Sequence, residues 1–274
     1  MSAFAAHPEY DVASGSTRLL GFMRNEMPDS AQDLARHVTK TYKARYQRIV
    51  GTDTVEGNLL APALAGLLVR TGQDGDVKDL MFKQGRQYLG LDGEVNKSVL
   101  APNMLRLALR ETMRSAGADA YEPMLKLAAD GSSLEKGSAA SALAATEDDE
   151  VYKTLLADVV LSEDSPLTGR QAGTVLNGLL GSEKYGKQTW DWFKANLPTY
   201  VKKVPDVRKG GLPGAGRNFC SIEGRDDVRN FVQANADLMP GYERSLLQTL
   251  ESIELCAALK EAKAADLAAA LKKR

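Results

Sequence analysis

Histidine is almost missing from this chain: among 274 residues there are only His7 and His37. That scarcity removes most routes to hydrolytic chemistry. Neither ring belongs to an H-E-x-x-H pair, so no zinc peptidase centre of the usual kind can be assembled. A Ser-His-Asp system would have to recruit one of the two, and no G-x-S-x-G elbow presents a serine. Long apolar runs are missing too, and the opening MSAFAAHPEYDV has neither a basic stretch nor a sustained apolar core, so it does not read as a signal peptide; if the protein is exported, the signal must lie outside this chain. The formal net charge is only -1, which gives no general attraction to nucleic acid or to a membrane surface. The expectation is a cytoplasmic monomer with no nucleic-acid and no membrane partner. Cysteine is equally scarce, with Cys220 placed at the end of one helix and Cys256 in the apolar pattern of a late one. Two reduced, buried thiols are expected.

Both tryptophans stand in one stretch, GKQTWDWFKANLPTY. Its leader, Gly181-Ser182-Glu183-Lys184-Tyr185-Gly186-Lys187, has the spacing of a phosphate loop, but Gln188 follows where a hydroxyl should hold magnesium. Upstream, Val175, Leu176, Leu179 and Leu180 recur at helical rather than strand intervals. The stretch therefore reads as a helix and its leading turn. Trp190, Phe193 and Leu197 share one face and make a core stripe, while Trp192 points away from it.

Helical periodicity runs almost throughout. Residues 1–28 read as a leader or the end of a preceding helical layer. Helices are expected over 28–50, 56–70, 76–89, 99–114, 121–129 and 135–145, then over the acidic-capped segment 146–161. Further helices are expected over 170–180, 185–204, 214–221 and 226–234, and from 243 to the end. No strand alternation interrupts them. Helices of this length joined by short turns suggest an all-α fold: a superhelical array of antiparallel pairs, a HEAT/armadillo-like solenoid over residues 29–274.

The polar residues that stand out come late. Lys202, Lys203, Arg208, Lys209 and Arg217 surround a glycine-rich segment read as a flexible loop, since its pattern lacks the strand and carboxylate of a dinucleotide site. One such loop is too short for the basic stripe that nucleic acid needs. His37, beside Arg36, Lys40, Lys43 and Arg45, reads as a surface histidine. Arg225 and Arg229, four apart, present an anion-facing edge. A peptide carboxylate suits them, and so do Glu223, Asp226 and Asp227.

Three segments carry a family resemblance: LLGSEKYGKQTWDWFKANLPTYVKKV, GRNFCSIEGRDDVRNFVQ and YERSLLQTLESIELCAALKE. Trp190, Lys194 and Asn196, then Asp227, Val228 and Phe231, then Arg244, Gln248 and Glu251 follow the order found in the C-terminal helical domain of zinc aminopeptidases, of the aminopeptidase N and puromycin-sensitive kinds. The chain resembles that domain over roughly residues 30 to 260. Two local departures are Ala61-Pro62 after Leu59-Leu60, where the family commonly has arginine, and Gly169-Arg170-Gln171-Ala172, which lacks the usual carboxylate. The zinc helix, the third ligand and the GxMEN motif have no counterpart. The resemblance implies a domain that encloses the chamber of a peptide-trimming enzyme and helps contact peptide. Its partners are then the catalytic domain of the same polypeptide and peptide substrates, with zinc confined to that other domain. It implies no catalytic or metal residue here; Arg217, Arg225 and Arg229 are the candidate substrate contacts. The alternative is a stand-alone helical-repeat scaffold for peptides or proteins.

Overall fold

A computed structural model describes residue 7 and residues 10–272. The described residues form helices joined by turns, with no strand among them. The α-helices are α1 Tyr10–Glu26, α2 Ala31–Ile49, α3 Ala61–Arg70, α4 Gly75–Leu89, α5 Leu105–Ala116, α6 Ala118–Asp130 and α7 Ser133–Leu143. They continue as α8 Asp149–Thr154, α9 Gly169–Leu180, α10 Gly186–Tyr200, α11 Asp206–Lys209, α12 Ile222–Ala234 and α13 Glu243–Lys272. Contacts divide the chain into Met1–Thr112 with Lys263–Arg274, and Met113–Ala262.

In the first unit the first four helices lean on their sequence neighbours: α1 on α2, α2 on α3, α3 on α4. Helix α1 occupies a stretch read as a leader or the end of a preceding layer, and its Leu20 and Met23 are fully buried. Asp74 starts α4 by accepting from the Val77 amide, and its other oxygen pairs with Lys43 at 2.8 Å, tying α2 to α4. Arg45, expected among surface cations, is buried and meets Glu56 at 2.6 Å. His37 is buried as well, at 8% exposure, contrary to the surface position expected of it. It stands three residues after Leu34, so it falls on the stripe with Val38, Tyr42 and Tyr46 that α2 turns inward. The helix expected over 99–114 begins later, because Pro102 opens only a 3-10 turn and Asn96 caps another before it.

In the second unit α6 packs on α7, α7 on α9, and α9 on α10. Local signals place the starts: Ser132 with Glu135 and Thr168 with Gln171 form reciprocal capping boxes. The acidic run is a helix start, and its cap is Asp148, which accepts from the Glu150 and Val151 amides. Asp149 then takes the Tyr185 hydroxyl at 2.7 Å and Lys184 at 2.8 Å, which hold its carboxyl below the ordinary value. From Leu155 to Leu161 the helix widens into π-helical turns.

The glycine-rich segment is neither a flexible loop nor a helix over 214–221. Asp206–Lys209 and the 3-10 turn Leu212–Gly216 give it shape, with Pro213 and Gly216 buried. A β-carbon at Gly216 would come within 2.3 Å of Val228 Cγ2, so glycine lets α12 approach this backbone directly. The reduced-thiol expectation is overturned here: Cys220 and Cys256 form a disulfide, with Cα atoms 5.1 Å apart. Cys220 lies beyond the 3-10 turn rather than within a helix, and Cys256 sits half-buried beside the inward stripe of Leu246, Leu250 and Ile253.

Candidate functional site

Helix α10 builds two different surroundings in the second unit. Its first half carries Trp190, 2% exposed. The indole N–H donates to Asp227 Oδ2 at 2.7 Å, and Lys194 Nζ donates to the same oxygen at 3.0 Å. Phe219 and Phe231 meet the indole edge-on, with centroids 5.7 and 5.3 Å away, and the Lys194 ammonium lies 5.7 Å from the ring. Burial pushes the Asp227 carboxyl up, but the Trp190 and Lys194 hydrogen bonds outweigh it and hold the group below the ordinary carboxylate value. Burial pulls the Lys194 ammonium down, and its bonds to Asp227 and Asp191 more than restore it. Every charge in this cluster is matched. The residues that carried the family resemblance, Trp190, Lys194, Asp227 and Phe231, therefore bind α10 to α12.

The end of α10 opens on a cleft of about 700 Å³. Leu176, Leu180, Phe193, Val204 and Leu212 give it apolar walls, and Val207 stands at it 94% exposed. Arg170, Lys203, Arg208 and Arg217 line it, and no aspartate or glutamate does. Lys203 donates to the Val160 and Ser162 carbonyls, and Arg217 to the Gly214 carbonyl at 3.0 Å. These bonds position the groups without neutralising them. Among the described residues, no carboxylate lies within ion-pair distance of Arg170, Arg208 or Arg217. Tyr200 also lines the cleft, 9% exposed, and among the described residues its hydroxyl has no hydrogen-bond partner. That oxygen is 4.0 Å from where a β-carbon on Gly173 would stand, on a glycine that itself lines the cleft. Burial raises the hydroxyl above its ordinary pKa, so it stays a neutral donor.

The three arginines expected to meet substrate are split by the structure. Arg217 belongs to the cleft. Arg225 pairs with Asp226 at 2.8 Å and Glu254 at 2.7 Å, and Arg229 shares Asp226 at 2.8 Å. Lys203 and Arg208 were legible as local charge but not as a site, and Arg170 only as a family departure. A usable signal was present: from Asn196 to Ser221 the sequence has one acidic residue, Asp206, against five basic ones. Its single carboxylate pairs with Lys209. The phosphate-loop spacing leads to no such loop, because α9 rather than a strand precedes Gly181 and Gly186 opens α10.

The donors here do not fit a zinc centre. Cys220 and Cys256 are bonded to each other and offer no thiolate, and His37 is buried on an α2 stripe with Val38 and Tyr42. Helices throughout the described residues, charge clusters that hold helices together and a cleft lined by cations define a helical domain. Residues 1–255 match the family model of the ERAP1-like C-terminal domain, and the chain belongs to that family. No curated protein matches the chain.

Proposed function

We propose that this chain is the helical C-terminal part of a zinc aminopeptidase, closing over a catalytic domain of the same polypeptide and contacting the downstream part of the peptide. The family match over residues 1–255 carries the reading, and the cleft gives it a place. Neighbour-on-neighbour packing within each unit supports helices stacked as antiparallel pairs in a HEAT/armadillo-like superhelix. Zinc, its base and the groups that hold the peptide amine belong to the catalytic domain. Arg217 is the first candidate for peptide contact, since its charge is unmatched. Arg225 and Arg229 come second, because a peptide carboxylate there would compete with Asp226 and Glu254. The enzyme is proposed to be monomeric. No helix among the described residues is long and apolar enough to cross a membrane. A cytoplasmic location is harder to reconcile with the Cys220–Cys256 bond, which favours an oxidising compartment.

The test is made in the aminopeptidase polypeptide that contains this domain. Arg208→Gln with Arg217→Gln should reduce turnover of a peptide and leave a single aminoacyl dye unaffected, since only the peptide reaches the cleft. The isolated chain should hold no stoichiometric zinc and turn over neither. Equal loss on both substrates would remove the peptide-contact role, and chelator-sensitive turnover by the isolated chain would overturn the accessory reading.

A further inference from the structure

We infer that the cleft between α9 and the 3-10 turn Leu212–Gly216 is a selectivity subsite for acidic peptide segments, reading side-chain carboxylates rather than peptide in general. The inference rests on the peptide-contact reading above and adds the chemistry of the peptide to it.

Three observations carry it. The cations come from separate places along the chain: Arg170 from the first turn of α9, Lys203 from the 3-10 turn after α10, Arg208 from α11, and Arg217 from beyond Leu212–Gly216. A single terminal carboxylate would be served by one convergent pair; positive groups spread round a volume of about 700 Å³ suit a ligand carrying several negative charges. Second, the fold has withheld its own carboxylates. Arg225, Arg229 and Lys194, in the neighbouring helices, each meet a carboxylate, whereas four cations share the cleft and no acidic residue lines it. Third, the Tyr200 hydroxyl is an unspent donor in a nearly buried side chain. The hydroxyl oxygen itself is reached by solvent, so it is open to donate to an acceptor entering the cleft past Gly173. The apolar walls and exposed Val207 add contact area for aliphatic stems, so glutamate fits better than a small inorganic anion.

Short fluorescent alanine-based peptides with amidated C-termini, carrying central Glu, Gln or Lys residues, are titrated into the 274-residue chain by anisotropy. The Glu peptide should bind about tenfold more tightly than the Gln peptide, with the Lys peptide weakest, and added salt should erase the order. Arg170→Gln with Arg208→Gln should bring the Glu and Gln peptides to the same affinity while leaving the melting temperature unchanged. Tyr200→Phe, which keeps the ring and loses the hydroxyl, should weaken Glu peptide binding alone. Equal affinity for all three peptides overturns the selectivity and leaves peptide contact standing. Binding that needs a free C-terminal carboxylate and ignores internal Glu overturns it too. If no peptide binds, the peptide-contact reading of the cleft falls with it.

Discussion

Trp190 and Tyr200 stand on the same helix, yet their surroundings obey opposite rules. Around Trp190 each polar group is answered: indole by Asp227, Asp227 by Lys194, and aromatic edges by aromatic faces. Around Tyr200 the positive charges lack carboxylates and the hydroxyl lacks a partner. A matched charge inside a domain serves folding, because an unmatched one there lowers stability. Groups left unmatched at an open cleft stay hydrated and remain available to a ligand. The comparison thus separates residues that make the domain from residues that use it, although both sets lie on α10 and the segments beside it.

The largest effect should come from breaking the matched side. Trp190→Ala removes a buried indole and should cost about 3–5 kcal/mol, read as a lower urea midpoint. Trp192→Ala, at a half-buried position, should cost clearly less. Similar losses would mean that α10 does not turn its two faces as described. Next comes the disulfide, which spans 36 residues. Reduction with dithiothreitol, or Cys256→Ser, should destabilise by about 2–4 kcal/mol. An unchanged midpoint under reductant would restore the free-thiol expectation.

Asp227→Ala should cost about 1–3 kcal/mol by leaving the indole N–H unpaired. Because the folded carboxyl has a lowered pKa, its contribution is fully present above the unfolded value of about 4 and disappears as pH falls through the folded one. Asp227→Ala should therefore flatten the acid limb of a pH–stability curve measured by thermal melts. An identical acid limb in both proteins would mean that the pairing with Trp190 and Lys194 is not stabilising.

Much of the fold was legible in the sequence because its helix signals are local. The apolar stripe of α10, the break near Gly72 and the acidic start of α8 follow from spacing and capping chemistry alone. What stayed hidden depends on neighbours distant in sequence. His37 looked exposed beside basic residues, but the inward face of α2 is set by Leu34, Val38 and Tyr42. Cys220 and Cys256 become partners only once the segment after Gly216 lies against α13. The cleft was half legible: its charges were visible, but the decisive fact is which carboxylates fail to reach them. Arg225 and Arg229 show the converse: of the local carboxylates that suited them in the sequence, Asp226 holds both, while Glu254 from α13 was not legible.

The account's central claim is that charge in the cleft contributes to binding and charge in the tryptophan cluster contributes to folding. The most direct test compares melting temperatures of the unmodified chain, Arg170→Gln with Arg208→Gln, and Asp227→Ala in one low-salt buffer. The account predicts a melting temperature for the cleft variant within about a degree of the parent, or slightly above it, because like charges have been removed. Asp227→Ala should melt several degrees lower. A cleft variant that loses as much as Asp227→Ala would contradict the account, because its arginines would then be part of what folds the domain.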